Sequence, residues 1–248
     1  MVAVQTGRLA WFGHSTVLVE LEGARVLTDP VLRRRVGHLR RAEAVRPEAV
    51  APVDLILISH VHWDHLDLPS LDGLGHDTRV VVPRGAGALL ERRGFTHIVE
   101  VGEGDHADVD GLSVVATYAD HSAARGPLGV KAPSLGYLLG DRRRVYFAGD
   151  TDLFAGMSGL ADHLHVALLP IAGWGPRLPP GHLDPERAAT ALRMLRPRIA
   201  VPIHWGTYRP MYGRRPAESP EDEFAHRAAQ LAPDVEVRIL PIGAGTHF

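Results

Sequence analysis

Four short apolar runs in this chain stop at a histidine or an aspartate, and that repetition constrains the fold more than any other feature. Leu55-Ile56-Leu57-Ile58 delivers Ser59-His60, and Leu112 to Tyr118 delivers Asp120-His121-Ser122. Arg144-Val145-Tyr146-Phe147-Ala148 delivers Gly149-Asp150, and Ile199-Ala200-Val201-Pro202-Ile203 delivers His204. Each run is too short for a helix and rich in β-branched or aromatic residues, which predicts buried strands. Open α/β architectures place ligand sites at the carboxyl ends of such strands.

The first of these ends is the densest. His60-Val61-His62-Trp63-Asp64-His65 puts three imidazoles and a carboxylate into six positions. If the extended backbone continues, His60 and His62 point to one side and Val61 to the other, so those two can share an ion. Four donors this close are hard to wrap around a single metal, and a second ion is the economical reading. The chain has no cysteine, so imidazole and carboxylate must hold any metal, and disulfides and cysteine nucleophiles are excluded. With 15 histidines in 248 residues, each has to be argued separately.

The rest of the chain reads as a scaffold for that loop. Arg8 to Phe12, Thr16 to Leu21 and Arg25 to Thr28 predict a β-meander ended by Asp29-Pro30, where the carboxylate either bonds a neighbouring loop or starts a turn. Val31 to Pro52, with Arg33-Arg34-Arg35 and Arg40-Arg41, reads as a long loop whose charge run is a solvated face or, given its position just before the metal loop, an anion clamp. Val80 to Pro83 predicts a strand, Gly85 to Arg93 a short helix ended by Gly94, and His97 to Val101 another strand. Ser134 to Leu139 pairs with Arg144 to Ala148 as a hairpin, and Val166 to Pro170 is a further strand. The Gly- and Pro-rich loop Gly173 to His182 contains Trp174, and Asp184-Pro185 is a helix start for a helix running to about Leu195. A helix over Glu221 to Leu231 and a strand over Val235 to Leu240 close the fold.

Alternating strands and helices predict an α/β (α+β) architecture, and the 45% hydrophobic content of a chain this long suits a single domain over residues 1–248. A net charge of -2 makes nucleic acid no obligatory partner. Residues 1–8 lack the basic stretch and apolar core of a secretory signal, and no apolar run reaches spanning length. A cytoplasmic protein without a transmembrane segment is expected, and a homo-oligomer is compatible with the sequence. Lys131 is the one lysine, which leaves little scope for Schiff-base chemistry.

His60-x-His62-x-Asp64-His65 followed by His121, Asp150 and His204 resembles the five-motif site of the metallo-β-lactamase fold superfamily. The resemblance covers nearly the whole chain and implies a four-layer αββα sandwich with two metals at one edge of the paired sheets. Asp29 falls at the first motif of that superfamily, an acidic residue supporting the metal loop. Trp11-Phe12-Gly13-His14-Ser15-Thr16, Leu27-Thr28-Asp29-Pro30, Ser59 to Asp67, His182-Leu183-Asp184-Pro185-Glu186 and His204-Trp205-Gly206-Thr207 look most like the N-acyl-phosphatidylethanolamine phospholipase D-like branch. Ascorbate-6-phosphate lactonase-like proteins are its neighbours. Trp63 stands where that branch often has tyrosine.

Carried over position by position, the resemblance implies one divalent ion on His60, His62 and His121, a second on Asp64, His65 and His204, and Asp150 bridging both. Zn²⁺ suits these donors first, with Mn²⁺ or Fe²⁺ also compatible. It implies a binuclear hydrolase whose metal-bridging hydroxide attacks a phosphodiester or related anionic ester, in a small-molecule or lipid-like substrate. A phosphorylated or other small lactone is the alternative. Two divalent ions against Asp64, Asp150 and one hydroxide leave a net charge of about +1, which attracts an anion and stabilises an oxyanion. Asp64 and His182 are the catalytic candidates, with His182 donating to the leaving group. His14, Trp63 and Trp174 are candidates for substrate contact or support, and a purely structural role for His14, hydrogen-bonded in its strand turn, stays open.

Two competitors belong to other classes. Redox di-iron proteins of this fold usually carry Glu where this chain has His62, with an appended flavin domain for which 248 residues leave no room. A non-catalytic metal or nucleic-acid binding module is disfavoured by the complete ligand set and by the lack of a basic, aromatic-interleaved patch.

Overall fold

The computed structural model describes residues 6–41, 44–126, 129–173, 178–210 and 219–248. Among them, two seven-stranded sheets face each other. In spatial order the first comprises Gly245–His247, Arg8–Trp11, Val17–Leu21, Ala24–Thr28, Leu55–Leu57, Arg79–Pro83 and Ile98–Val101. The second comprises Glu236–Val237, Ile199–Ile203, Leu164–Pro170, Arg144–Phe147, Lys131–Leu139, Leu112–Ala124 and His106–Val109.

Burial on both faces explains why the central strands read as continuous apolar runs. Along Leu164–Pro170, Val166 and Leu168 pack between the sheets while Ala167 and Leu169 pack under helices. Leu55 and Leu57 likewise point inward, and Ile56 and Ile58 pack outward with Leu71 and Leu90. The helices Leu68–Asp72 and Gly87–Glu91 cover the first sheet, and Pro185–Leu195 and Pro220–Leu231 cover the second. The result is the four-layer αββα sandwich that the motifs implied.

Helix Pro185–Leu195 starts as its sequence predicts. The Asp184 side chain accepts from the Arg187 amide at 2.8 Å, and Pro185 occupies the first turn. Parallel pairing sets the carboxyl ends of Ala24–Thr28 and Leu55–Leu57 side by side. It does the same for Arg144–Phe147, Leu164–Pro170 and Ile199–Ile203. Links at that edge join the sheets: the Leu135 amide donates to Ser59 at 3.0 Å, and the Tyr137 hydroxyl donates to the Ile58 carbonyl at 2.8 Å.

Three expectations are corrected. Val31 to Pro52 is not a loop throughout, because Leu39–Arg41 pairs with Arg35–Val36 on one side and Tyr208–Pro210 on the other as a small third sheet. Val31, Val36, Leu39 and Tyr208 form its apolar core, and Arg41 is buried, donating to the Val31 carbonyl at 2.7 Å. Alternating arginines hid these short strands, although Arg33, Arg34 and Arg35 are exposed as expected. The strand expected to stop at Tyr118 runs on to Ala124, with a register break between Tyr118 and Ser122. His121 therefore sits at a bulge inside a long strand and not at its end, a device that re-aims a side chain. At the C-terminal side only Glu236–Val237 of the expected strand pairs, and Gly245–His247 adds the edge of the first sheet. No helix among the described residues is long and apolar enough to cross a membrane.

Replacing Tyr137 with Phe removes the Tyr137 donor to Ile58 without opening a cavity, and should lower unfolding free energy by about 1–3 kcal/mol. Urea denaturation measures it. A stability equal to wild type would mean that the Ile58 carbonyl finds another partner.

Candidate metal centre

The first cluster is built from imidazoles alone. His60 follows the strand Leu55–Leu57, and its Nε2 lies 3.0 Å from His62 Nδ1, which lies 3.3 Å from His121 Nε2. His60 Nδ1 sits 2.9 Å from Ser59 Oγ, and His121 Nδ1 sits 2.9 Å from the Gly181 carbonyl. A carbonyl accepts only from N–H, so His121 carries its proton on Nδ1 and turns the Nε2 lone pair inward. Burial pushes His60 well below the usual imidazole range, helped by His65, and pushes His121 down to about 4. His62 is lowered by the same causes as His60. Three imidazole nitrogens facing one point are a donor set of the kind that can hold a divalent metal.

The second cluster gathers His14, Asp64, His65 and His204, whose donor atoms lie within 4.8 Å of one another. His204 Nδ1 donates to the Ala172 carbonyl at 2.7 Å. His65 Nδ1 faces Asp29 Oδ2 at 2.7 Å. Between the clusters stands Asp150, with Oδ2 3.2 Å from His65 Nε2 and 3.3 Å from His182 Nε2, and Oδ1 3.2 Å from His204 Nε2. Burial would raise both carboxylates, but the His14 hydrogen bond and His65 hold Asp64 well below its usual range. His204 and His65 do the same for Asp150. Burial would lower His65, but Asp150 and then Asp29 hold it well above the usual imidazole range.

A cation fits this donor set. His65 Nε2, His204 Nε2 and Asp150 Oδ1 are buried and make no well-formed hydrogen bond, although Asp150 stands 3.2 Å from each imidazole. Buried polar atoms left this way each cost about 1–3 kcal/mol, and an ion among them would satisfy all three.

Asp29 joins the two clusters from behind. Its Oδ1 accepts from the Ser59 amide at 2.7 Å, and its Oδ2 accepts from Ser59 Oγ at 2.5 Å and from His65 Nδ1. Ser59 Oγ in turn touches His60 Nδ1. One buried carboxylate thus orients a histidine in each cluster, the kind of outer support that metal ligands require. Ser59 was not singled out from sequence, and its place directly before His60 was the available signal.

The remaining candidates divide. His14 is buried, its amide donating to Thr207 Oγ1 at 2.6 Å and its Nε2 lying 3.2 Å from Asp64 Oδ2. Burial lowers its pKa to about 3. It therefore lies inside the second cluster, and its partner is the Asp64 side chain. His182 holds Nδ1 3.0 Å from the Pro179 carbonyl and turns Nε2 toward Asp150. Burial would lower it, but the Asp150 hydrogen bond and charge raise it. Trp63 is 56% exposed. Trp174 lies outside the described residues. A chamber of about 900 Å³ opens over Asp64, Asp150 and His182, walled by Trp63, Leu178, Pro179 and the apolar residues Val36 and Leu39 of the third sheet. That wall was missed because its strands were read as loop.

Two ligand clusters at one edge of an αββα sandwich define the class as the metallo-β-lactamase fold. The family profile described as beta-lactamase superfamily domain matches residues 24–205. A Mycobacterium tuberculosis protein is 36% identical over 81% of this chain, and the chain spans only 59% of that relative's length. A metal-dependent hydrolase of Methanopyrus kandleri is 33% identical over 95% of this chain and 97% of its own. An N-acyl-phosphatidylethanolamine-hydrolyzing phospholipase D of Caenorhabditis elegans is 28% identical over 80% of this chain and 63% of its own. The solved structure of a metallo hydrolase from Ignicoccus hospitalis superposes with a TM-score of 0.73 at 28% identity, covering 98% and 99% of the two chains. The chain belongs to the beta-lactamase superfamily domain family and groups there with metal-dependent hydrolases.

Against the cost of burial, Asp150 and then Asp29 favour the protonated form of His65, so an ion taking its Nε2 competes with a proton there. Zinc affinity of chelator-stripped protein should therefore fall as pH falls. Calorimetric titration across a pH series measures this. An affinity independent of pH would remove His65 from the ligand set.

Proposed function

We propose that the chain is a binuclear metal-dependent hydrolase acting on phosphodiesters or related anionic esters. The observation that carries this reading is the set of three buried atoms, on His65, His204 and Asp150, that close on one another without a well-formed hydrogen bond between two clusters of ligand-type side chains. His60, His62 and His121 would hold one ion, Asp64, His65 and His204 the other, and Asp150 would serve both. Bound there, two divalent ions, zinc by donor preference, supply Lewis acidity and an activated water near neutral pH.

The chain's own side chains do the rest. Ser59, Asp29, Gly181 and Ala172 hold the Nδ1 side of four histidines, so that each Nε2 keeps its lone pair or exchangeable proton toward the centre. His182 lines the chamber with Nε2 beside Asp150 and a raised pKa, which suits it to carry a proton to a leaving oxygen. The chamber's apolar wall receives the non-reacting part of the substrate and excludes water around the reacting group. The phospholipase D relative supports a diester with an apolar portion.

Protein purified without chelator should carry close to two metal equivalents, and His204→Ala or Asp64→Ala should mainly empty one site. Saturation of the wild type at one ion would refute the binuclear reading. Asp29→Ala should weaken metal binding by about 10–100-fold while removing no ligand. His182→Ala should keep full metal content yet lower kcat by about 10²-fold on the best substrate of a panel of phosphodiesters, N-acyl phospholipids and lactones. Loss of a metal equivalent in that variant would instead make His182 a ligand. A fully loaded protein that turns over none of the panel would favour a non-catalytic metal-binding module.

A further inference from the structure

Arg125 stands one residue beyond the strand Leu112–Ala124 that carries His121, yet its side chain enters the loop between His60 and Asp67. Its exposure is 9%. Its Nη1 donates to the Val61 carbonyl at 3.1 Å and to the Leu66 carbonyl at 2.8 Å. Its Cζ lies 4.0 Å from the centroid of the Trp63 ring. A single guanidinium therefore touches both flanks and the crown of the segment that presents His62, Asp64 and His65.

That segment needs such a hold. Loop carbonyls have no ladder partners of their own and must be satisfied somewhere, and three ligand-type side chains in four residues keep their relative geometry only if the ends stay fixed. A planar guanidinium can donate in its plane and stack on its face at the same time, whereas an ammonium is a point donor that cannot do both. Trp63 is the other half of the observation. It is a large apolar side chain, 56% exposed, at the wall of the chamber above Asp64 and Asp150. An exposed indole would ordinarily sample several rotamers, and stacking at this distance is well within cation–π range.

We infer that Arg125 is a positioning residue that clamps the metal loop at both ends and, through Trp63, presents a fixed indole wall to the non-reacting part of the substrate. The kinetic half of this inference rests on the hydrolase reading, and the clamping half does not. Arg125 touches neither the reacting atoms nor the candidate ligands, so its effects must travel through the loop backbone and the indole.

The test uses the whole chain as wild type, Arg125→Lys, Trp63→Ala and the double variant, with Zn²⁺ alone and bis(p-nitrophenyl) phosphate as probes. Arg125→Lys should keep its circular dichroism and a cooperative unfolding transition, bind Zn²⁺ about 10–100-fold more weakly, and change the Trp63 fluorescence obtained by difference from Trp63→Ala. At saturating Zn²⁺ both single variants should raise KM by about tenfold with kcat changed less than about threefold, and the double variant should be no worse than either single. Wild-type Zn²⁺ affinity and KM in Arg125→Lys, or additive effects in the double variant, would overturn the inference. If the wild type does not turn over the diester, the hydrolase reading fails for that probe, and Zn²⁺ affinity with Trp63 fluorescence decides the role of Arg125 alone. If Arg125→Lys does not fold, Trp63→Ala decides, since an unchanged KM there removes the wall.

Discussion

The three hydrogen bonds accepted by the Asp29 side chain are the constraint on which the site depends. Asp29 ends the strand Ala24–Thr28 with its backbone in the left-handed region at φ 32°, a conformation that costs a non-glycine residue energy and persists only where its surroundings enforce it. The enforcement comes from Ser59 and His65, whose buried donors all converge on the Asp29 carboxylate. If the loop moved away, buried donors and acceptors would be left unmatched on both sides, at about 1–3 kcal/mol each. Strand order thus becomes imidazole orientation.

Around that brace the chain concentrates polar groups where burial penalises charge. The outcome differs from residue to residue because the neighbours differ. His60, His121 and His14 are surrounded by other imidazoles and go neutral, whereas Asp64 and Asp150 have imidazole donors beside them and stay anionic. His65 stands between two carboxylates, which favour its protonated form. Imidazole nitrogens on either side of two carboxylates form a set of groups whose mutual burial a cation would relieve, and any metal uptake there would be coupled to folding.

The substrate side is built from less regular material. The third sheet, Arg35–Val36, Leu39–Arg41 and Tyr208–Pro210, packs over a small apolar core and carries Val36 and Leu39 to the chamber. Arg41 is buried there with Nη1 donating to the Val31 carbonyl and its guanidinium 6.0 Å from the centroid of the Tyr208 ring. Rigid strand ends position the reacting centre, while loops and short hairpins shape what approaches it, the usual division between scaffold and specificity.

Much of this was legible in the chain. Apolar runs ending in His60, Asp150 and His204 predicted strands that end at one edge, the spacing His60-x-His62-x-Asp64-His65 predicted a loop that gathers ligand-type side chains, and Asp184-Pro185 predicted a helix start. These are short-range properties, since side-chain alternation, capping and ligand density are settled within a few residues. The bulge that turns His121 inward could not be read this way, because it arises from pairing with Lys131–Leu139 and leaves no local mark. Nor could the contact of His14 with Asp64, of His121 with Gly181, or of His14 with Thr207, which join residues 50, 60 and 193 positions apart. The sequence determined which groups the site contains and which strands carry them. Only the tertiary structure decided how they face one another, because register between distant strands and the approach of loops depend on packing that no local pattern encodes.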